Sequence, residues 1–201
     1  MTPELINQTS AASPEAPPKT TSRLFLAVWP NQETRSKLVA RVDHLRKAPW
    51  AENVRWVRNE NLHLNLQSFG VVPESKFPIL AETIEAALKG VSSIEVQITD
   101  PELFPRAARP IIIAYGVAKS EPLKLLQRGI RSPLRKLCIF KESRSFLPHI
   151  AVGRIKVGLR GNVRLGGPGL YSFPITAISL IESQLQPDGS EFIERARFPL
   201  N

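Results

Sequence analysis

Apolar residues recur along this chain with two periods. Between Asn61 and Gly70 the sequence NLHLNLQSFG sets Leu62, Leu64 and Leu66 in alternation with His63, Asn65 and Gln67, as in a strand that buries one face. Runs of strand length also stand at RLFLAVW from Arg23, VRWV from Val54, SIEVQIT from Ser93, PIIIAYGV from Pro110 and FLPHIAVGRI from Phe146. Two more, ITAISLIESQL from Ile175 and EFIERARFPL from Glu191, are separated by the hairpin-turn signal QPDGS. Helical spacing governs three other stretches. Leu38, Val39, Val42 and Leu45 follow Asn31, a residue suited to an N-cap, and Ile79, Leu80, Ile84 and Leu88 run from Pro78 to a stop at Gly90. A third helix is expected from Ser120, with a kink or break at Pro133.

The resulting order, β-α-β-β-α-β-β-α-β-β-β, predicts an α+β fold with antiparallel sheet in two helix-containing halves. The glycine-rich RGNVRLGGPGLYSF, Arg160 to Phe173, reads as an irregular loop, and no helix pattern follows its glycines as a phosphate-binding loop requires. The opening segment is rich in Pro, Ser, Thr and Ala and has neither the apolar centre of a signal peptide nor the arginines of a transit peptide. Residues 1–22 are therefore expected to form a disordered tail ahead of a single two-lobed domain over 23–201.

Composition narrows the partners. With 27 Lys and Arg against 18 Asp and Glu, the formal charge of +9 favours polyanions such as nucleic acid or phosphorylated metabolites. Arg35, Lys37, Arg41, Arg46 and Lys47 fall largely off the apolar stripe of the first helix and read as its solvated face. A single cysteine, Cys138, excludes an intrachain disulfide framework and a cysteine zinc cluster, and its neighbours Leu137, Ile139 and Phe140 suggest packing. No apolar run approaches the roughly 20 residues that span a bilayer, so no membrane partner is expected. The single cysteine makes a reducing cytoplasm the expected compartment, and a monomer with no obligate protein partner is the default.

Of three histidines, His44 sits in the first helix pattern, where a partly exposed surface residue is expected. The other two fall at matching places in successive halves, in LHLNL around His63 and PHIAV around His149. Two imidazoles of near-neutral pKa can supply a general acid and a general base. A residue two positions on shares each histidine's face, so Asn65 and Ala151 flank the same chemistry, and Asn65 can donate through its amide.

These segments carry a family resemblance. NLHLNLQSFG and LPHIAVGRI, with RLFLAVWP before them, VRWVRNENLH leading into the first and ESQLQPDGSEFIERARFPL at the end, resemble the two-histidine (2H) phosphoesterase superfamily. Within it they look like the bacterial and archaeal RNA 2′,3′-cyclic phosphodiesterases, once called 2′-5′ RNA ligases. The likeness covers Arg23 to Leu200. It implies a two-lobed 2H phosphoesterase fold, with two antiparallel sheets facing a central cleft and helices outside. It further implies metal-independent opening of a 2′,3′-cyclic phosphate at RNA or nucleotide ends to a 2′-phosphate, without cofactor. On this resemblance His63 gives a proton to the leaving oxygen, His149 activates water, and Arg154, five residues past the second histidine, binds substrate. Strict alternation turns Arg154 away from His149, so that use needs a bulge or a strand end, for which Gly153 is the expected source of freedom. Where the family has Thr or Ser, this chain has Asn65 and Ala151. A binding module for nucleotides or RNA ends without turnover is the alternative, and strand joining by the reverse reaction a third.

Overall fold

The structure is a computed structural model and describes residues 20–105, 109–140, 145–156, 158–159, 163–166, 171–187 and 189–201. Its elements are β1 (Thr21–Val28), α1 (Gln32–Leu45), β2 (Val54–Trp56), β3 (Leu64–Pro73), α2 (Phe77–Leu88), β4 (Ile94–Phe104), β5 (Ile112–Val117), α3 (Glu121–Arg135), β6 (His149–Ile155), β7 (Tyr171–Ile175), β8 (Ala177–Gln186) and β9 (Gly189–Pro199). Every strand pairing is antiparallel, in the order β7-β4-β5-β6-β3-β1-β8-β9, with β2 added beside β6. The α+β expectation holds.

The two expected sheets meet edge to edge. One lobe is β7-β4-β5-β6 and the other β3-β1-β8-β9, and a single ladder pair, Leu64 with Ile150, joins them into one curled sheet. The apolar stripes of all three helices share one core with one face of this sheet, where Leu24, Leu26, Leu64, Ile150, Val152, Ile178 and Leu180 are buried. Each such side chain contributes on the order of 1.5–3 kcal/mol by leaving water. The other face is left to a small aromatic cluster around Phe25, Ala27 and Ile181, and to the site described below.

Local signals account for the helix ends. Asn31 accepts a hydrogen bond from the Thr34 amide at the start of α1, and Ser120 accepts one from the Leu123 amide at the start of α3. Pro133 does not break α3. It lies in the last turn, where only Leu134 and Arg135 follow, and fully buried Leu134 holds that turn to the core.

Three boundaries differ from the sequence reading. The expected tail extends to residue 22, yet Thr21 and Ser22 pair in β1 with Pro73 and Val72; residues 1–19 lie outside the described residues. The glycine-rich loop ends in a strand, β7, whose alternation is short and carries Pro174, tolerable because β7 is the sheet's edge and pairs only with β4. Parts of that loop, 160–162 and 167–170, also lie outside the described residues. Cys138 is not packing: it is exposed, with φ of 51°, while Leu137, Ile139 and Phe140 beside it touch the core. Among the described residues no helix is long and apolar enough to cross a membrane.

Candidate active site

The joint between the lobes sets the geometry. His63 directly precedes Leu64 and His149 directly precedes Ile150, so each histidine abuts the one pair that links the lobes. Continuing that antiparallel register sets His63 across from Ala151 and Asn65 across from His149. Leu64 and Ile150 are fully buried, so all four residues between and beside them face the open side. They line one cleft of about 290 Å³ with Arg55, Arg58, Arg154 and Phe192. The strand expected from Asn61 begins only at Leu64; His63 leaves a 3₁₀ turn, Asn59–Asn61, that interrupts the path from β2 to β3. His44, as expected, is exposed on α1 and lines no part of this cleft.

Both imidazoles are held in the same way. His63 Nδ1 lies 2.7 Å from the carbonyl oxygen of Asn61, and His149 Nδ1 lies 2.7 Å from that of Leu147, two residues upstream in each case. A carbonyl only accepts, so Nδ1 carries the hydrogen and Nε2 is the nitrogen that exchanges protons. Asn61 is itself fixed, its Nδ2 donating to Ser190 O at 2.8 Å across to the β8–β9 hairpin.

The surroundings of the two rings differ. His63 stands among Phe25, Trp29 and Phe192, with centroids at 5.0, 5.5 and 5.3 Å. His149 stacks on Phe104, the one aromatic ring against it among the described residues, at 4.6 Å and 29°. Burial pushes the pKa of His63 below its ordinary 6.5; the hydrogen bond to Asn61 opposes the shift, and the charge of His149 adds to it.

Of the two routes open to Arg154, a bulge or a strand end, the structure shows a bulge. Along β5 and β6, Gly153 pairs with Ile113 and Ala151 with Ala114, so Val152 is an extra residue and Arg154 turns to the cleft side. Gly153 is small for a different reason than backbone freedom. A Cβ there would overlap the Val54 side chain and stand 3.3 Å from Trp56 Cε3, so glycine lets β2 approach β6. The same approach sets Arg55 directly across from Arg154. Like charges opposed across a ladder are unfavourable, and neither has an ion-pair partner among the described residues. No carboxylate is among the described residues lining the cleft. Such a site suits an anion.

Sequence reasoning does not single out Arg55, Arg58 or Asn61, though all lie in the lead-in VRWVRNENLH. The aromatic enclosure of His63 comes from β1 and β9, remote in sequence, and leaves no local signal. Asn65 lines the cleft with its amide within 3.2 Å of Ser68 Oγ, and Ala151 offers no donor. Among the described residues no cluster of three or more His, Cys, Asp or Glu side chains is placed to hold a metal ion.

Known proteins resemble this chain in sequence and in fold. The model of the 2′-5′ RNA ligase superfamily matches residues 34–157, a span that includes His63, His149 and Arg154. The chain belongs to that superfamily. An RNA 2′,3′-cyclic phosphodiesterase of Methanothermobacter thermautotrophicus is 30% identical over 189 residues, 89% of this chain and 98% of the relative. One of Thermotoga maritima is 29% identical over 134 residues, 67% of this chain and 70% of the relative. Among solved structures, E. coli LigT in its apo form superposes with a TM-score of 0.74 at 22% identity, covering 91% of this chain and 99% of LigT. A Thermus thermophilus protein gives 0.76 at 24% identity, covering 89% and 97%. Membership of the 2′-5′ RNA ligase superfamily thus accords with the curled antiparallel sheet.

Proposed function

We propose that this protein hydrolyses 2′,3′-cyclic phosphates at RNA or nucleotide ends to 2′-phosphates, using His63 and His149 as its acid and base. The observation that carries this reading is the mirrored pair of Nδ1–carbonyl hydrogen bonds, which leaves two Nε2 atoms for a cleft lined by arginines. The names of the relatives support the same reaction class.

In the proposed step His149 Nε2 takes a proton from water as the water oxygen bonds to phosphorus. The bond from phosphorus to O3′ breaks, and His63 Nε2–H gives its proton to O3′. The products are a 2′-phosphate and a free 3′-hydroxyl, and the two histidines exchange protons with solvent before the next turnover. Arg154 and Arg55 balance the charge of the phosphoryl oxygens, and the Asn65 amide donates to one of them. The step requires no metal.

The lowered pKa of His63 disfavours the proton donor in an empty cleft. A phosphate arriving beside the ring favours the imidazolium. Substrate binding is therefore coupled to proton uptake by His63, and the pH profiles of kcat and kcat/KM should differ on their alkaline limbs. A second reading, binding without turnover, is favoured by Ala151, which removes one hydroxyl that the resembling family uses. Incubation with an oligoribonucleotide ended in a 2′,3′-cyclic phosphate, with and without chelator, separates the two. Chelator-insensitive appearance of the 2′-phosphate supports the hydrolase; binding with no product supports the module.

A further inference from the structure

A second chamber of about 620 Å³ adjoins the catalytic cleft on the side of His63. It is lined by Trp29, Arg35, Thr176 and Arg197, and it shares Asn61 and Phe192 with the cleft. The chemistry proposed above fixes which part of the substrate lies this way, and the inference rests on that reading. In an in-line displacement the attacking water and the leaving oxygen stand on opposite sides of phosphorus. If His149 serves the water, O3′ and the ribose that bears it lie toward His63. The nucleoside and whatever precedes it must extend past His63, where the chamber opens.

The lining fits that cargo. Trp29 lies 5.5 Å from the His63 ring, one side of the same aromatic group, and offers a face on which a base can stack. Arg35, in the first turn of α1, reaches over Trp29 with its guanidinium carbon 6.0 Å from the ring centroid. The sequence reading assigns Arg35 to a solvated helix face, yet its Nε is buried and has no hydrogen-bond partner among the described residues. A buried guanidinium nitrogen without an acceptor is a donor for a ligand that brings one. Other basic residues of this helix and its C-terminal end are differently occupied: Lys37 pairs with Glu33, and Arg46 with Asp43.

The chamber is not a polyanion channel. Glu60 and Glu194 also line it; Glu194 accepts from Ser179 and lies 3.6 Å from Arg197, which occupies that arginine's charge. What remains is the aromatic pair Trp29 and Phe192, the unsatisfied Arg35 and the carboxylate of Glu60, with room for a base and, at Arg35, a single phosphate. We propose that this chamber holds the RNA strand on the 5′ side of the cyclic phosphate, with a base on Trp29 and the next phosphodiester at Arg35.

The test compares a cyclic mononucleotide, adenosine 2′,3′-cyclic phosphate, which has no upstream phosphodiester, with a hexaadenylate ended in a 2′,3′-cyclic phosphate. Arg35→Ala should raise KM for the hexamer about tenfold, the usual scale of one charged hydrogen bond, and leave kcat and KM for the mononucleotide within about twofold. Arg35→Lys should recover part of the loss. Equal effects on both substrates, or none on the hexamer, overturn the chamber's role while leaving the hydrolase reading intact. A wild-type protein that turns over neither substrate overturns the hydrolase reading alone. The chamber is then read by fluorescence anisotropy of a labelled hexaadenylate ended in a 2′-phosphate: Arg35→Ala must weaken its binding about tenfold, and an unchanged Kd overturns the inference.

Discussion

Ala151 is the position at which the site lacks a donor, and Ala151→Thr restores one. Ala151 lies on the cleft face of β6, two residues past His149 and, by register, across from His63. A hydroxyl there points at the equatorial oxygens of a phosphate lying between the rings. A hydrogen bond to a charged acceptor contributes about 1.5–3 kcal/mol net, or about ten- to a hundredfold in rate if it forms mainly in the transition state. The position is half-exposed, and Arg55 and Arg154 already face the same cleft, so the upper part of that range is discounted. The expected gain is about 1 kcal/mol, about fivefold in kcat. Ala151→Val is the control, since valine has the shape of threonine without its hydroxyl. Steady-state kcat and KM on a cyclic-phosphate oligonucleotide, with thermal midpoints for all three proteins, isolate the hydroxyl as the difference between the Thr and Val variants. If the Thr variant equals or trails the Val variant while both remain folded, the reasoning fails, and the arginines already do all that a hydroxyl could.

Replacing either His63 or His149 with alanine should lower kcat about 10²- to 10⁴-fold; a pair of variants with wild-type rates would refute the assigned chemistry. In NMR titration the His63 ring should show a midpoint below 6.5, and Phe192→Ala should move it upward by admitting water; a midpoint that ignores Phe192 would discard burial as the cause. Arg195 bonds Glu74 at 2.9 Å and Glu182 at 2.7 Å, the latter 5% exposed, and stacks over Phe77, so Arg195→Met should cost about 2 kcal/mol, about 4–8 °C in midpoint. Glu74 is held below its ordinary 4.5, first by the Arg195 hydrogen bond and then by Ser22. Its contribution is therefore full above pH 4.5 and lost as pH falls through the lowered value, and the wild-type minus variant difference should shrink on acidification. Gly153→Ala should push β2 from β6 and weaken substrate binding through Arg55 and Arg154, detected as a raised KM with an intact far-UV spectrum.

The parts of the fold that are legible in the sequence are those set by local chemistry. Leu64 and Leu66 announce the buried face of β3, Asn31 and Ser120 announce helix starts, and Pro187 to Ser190 announce the β8–β9 hairpin. What local pattern cannot supply is pairing at a distance. Gln67 reads as an open-face residue, yet it is 2% exposed because β3 carries an extra residue at Leu66 against β1, which reverses the alternation beyond it. The arrival of Arg154 at the cleft requires a bulge whose existence can be demanded but not located from HIAVGRI. That β7 and β8, separated only by Thr176, stand far apart in sheet order is equally invisible in ITAISLIESQL, which reads as one strand.

A frame so nearly two-fold presents a chemical difficulty. Two histidines on matched strand ends, each with Nδ1 bound to the carbonyl two residues back, are equivalent as far as the motifs go. Opening a cyclic phosphate needs them to be different, one charged and one neutral at the same moment. The difference comes from outside the motifs. Three aromatic rings, from β1, the turn after it and β9, enclose His63, and one ring from β4 backs His149. The enclosure disfavours the proton on His63 unless an anion stands beside it, so on the proposed reading the acid is armed by its substrate. The same rings continue into the chamber beyond, through Trp29 and Phe192. The rings that distinguish the two histidines thus also line the chamber proposed for the strand, so on the proposed reading the polarity of the reaction and the path of the strand follow from one asymmetry.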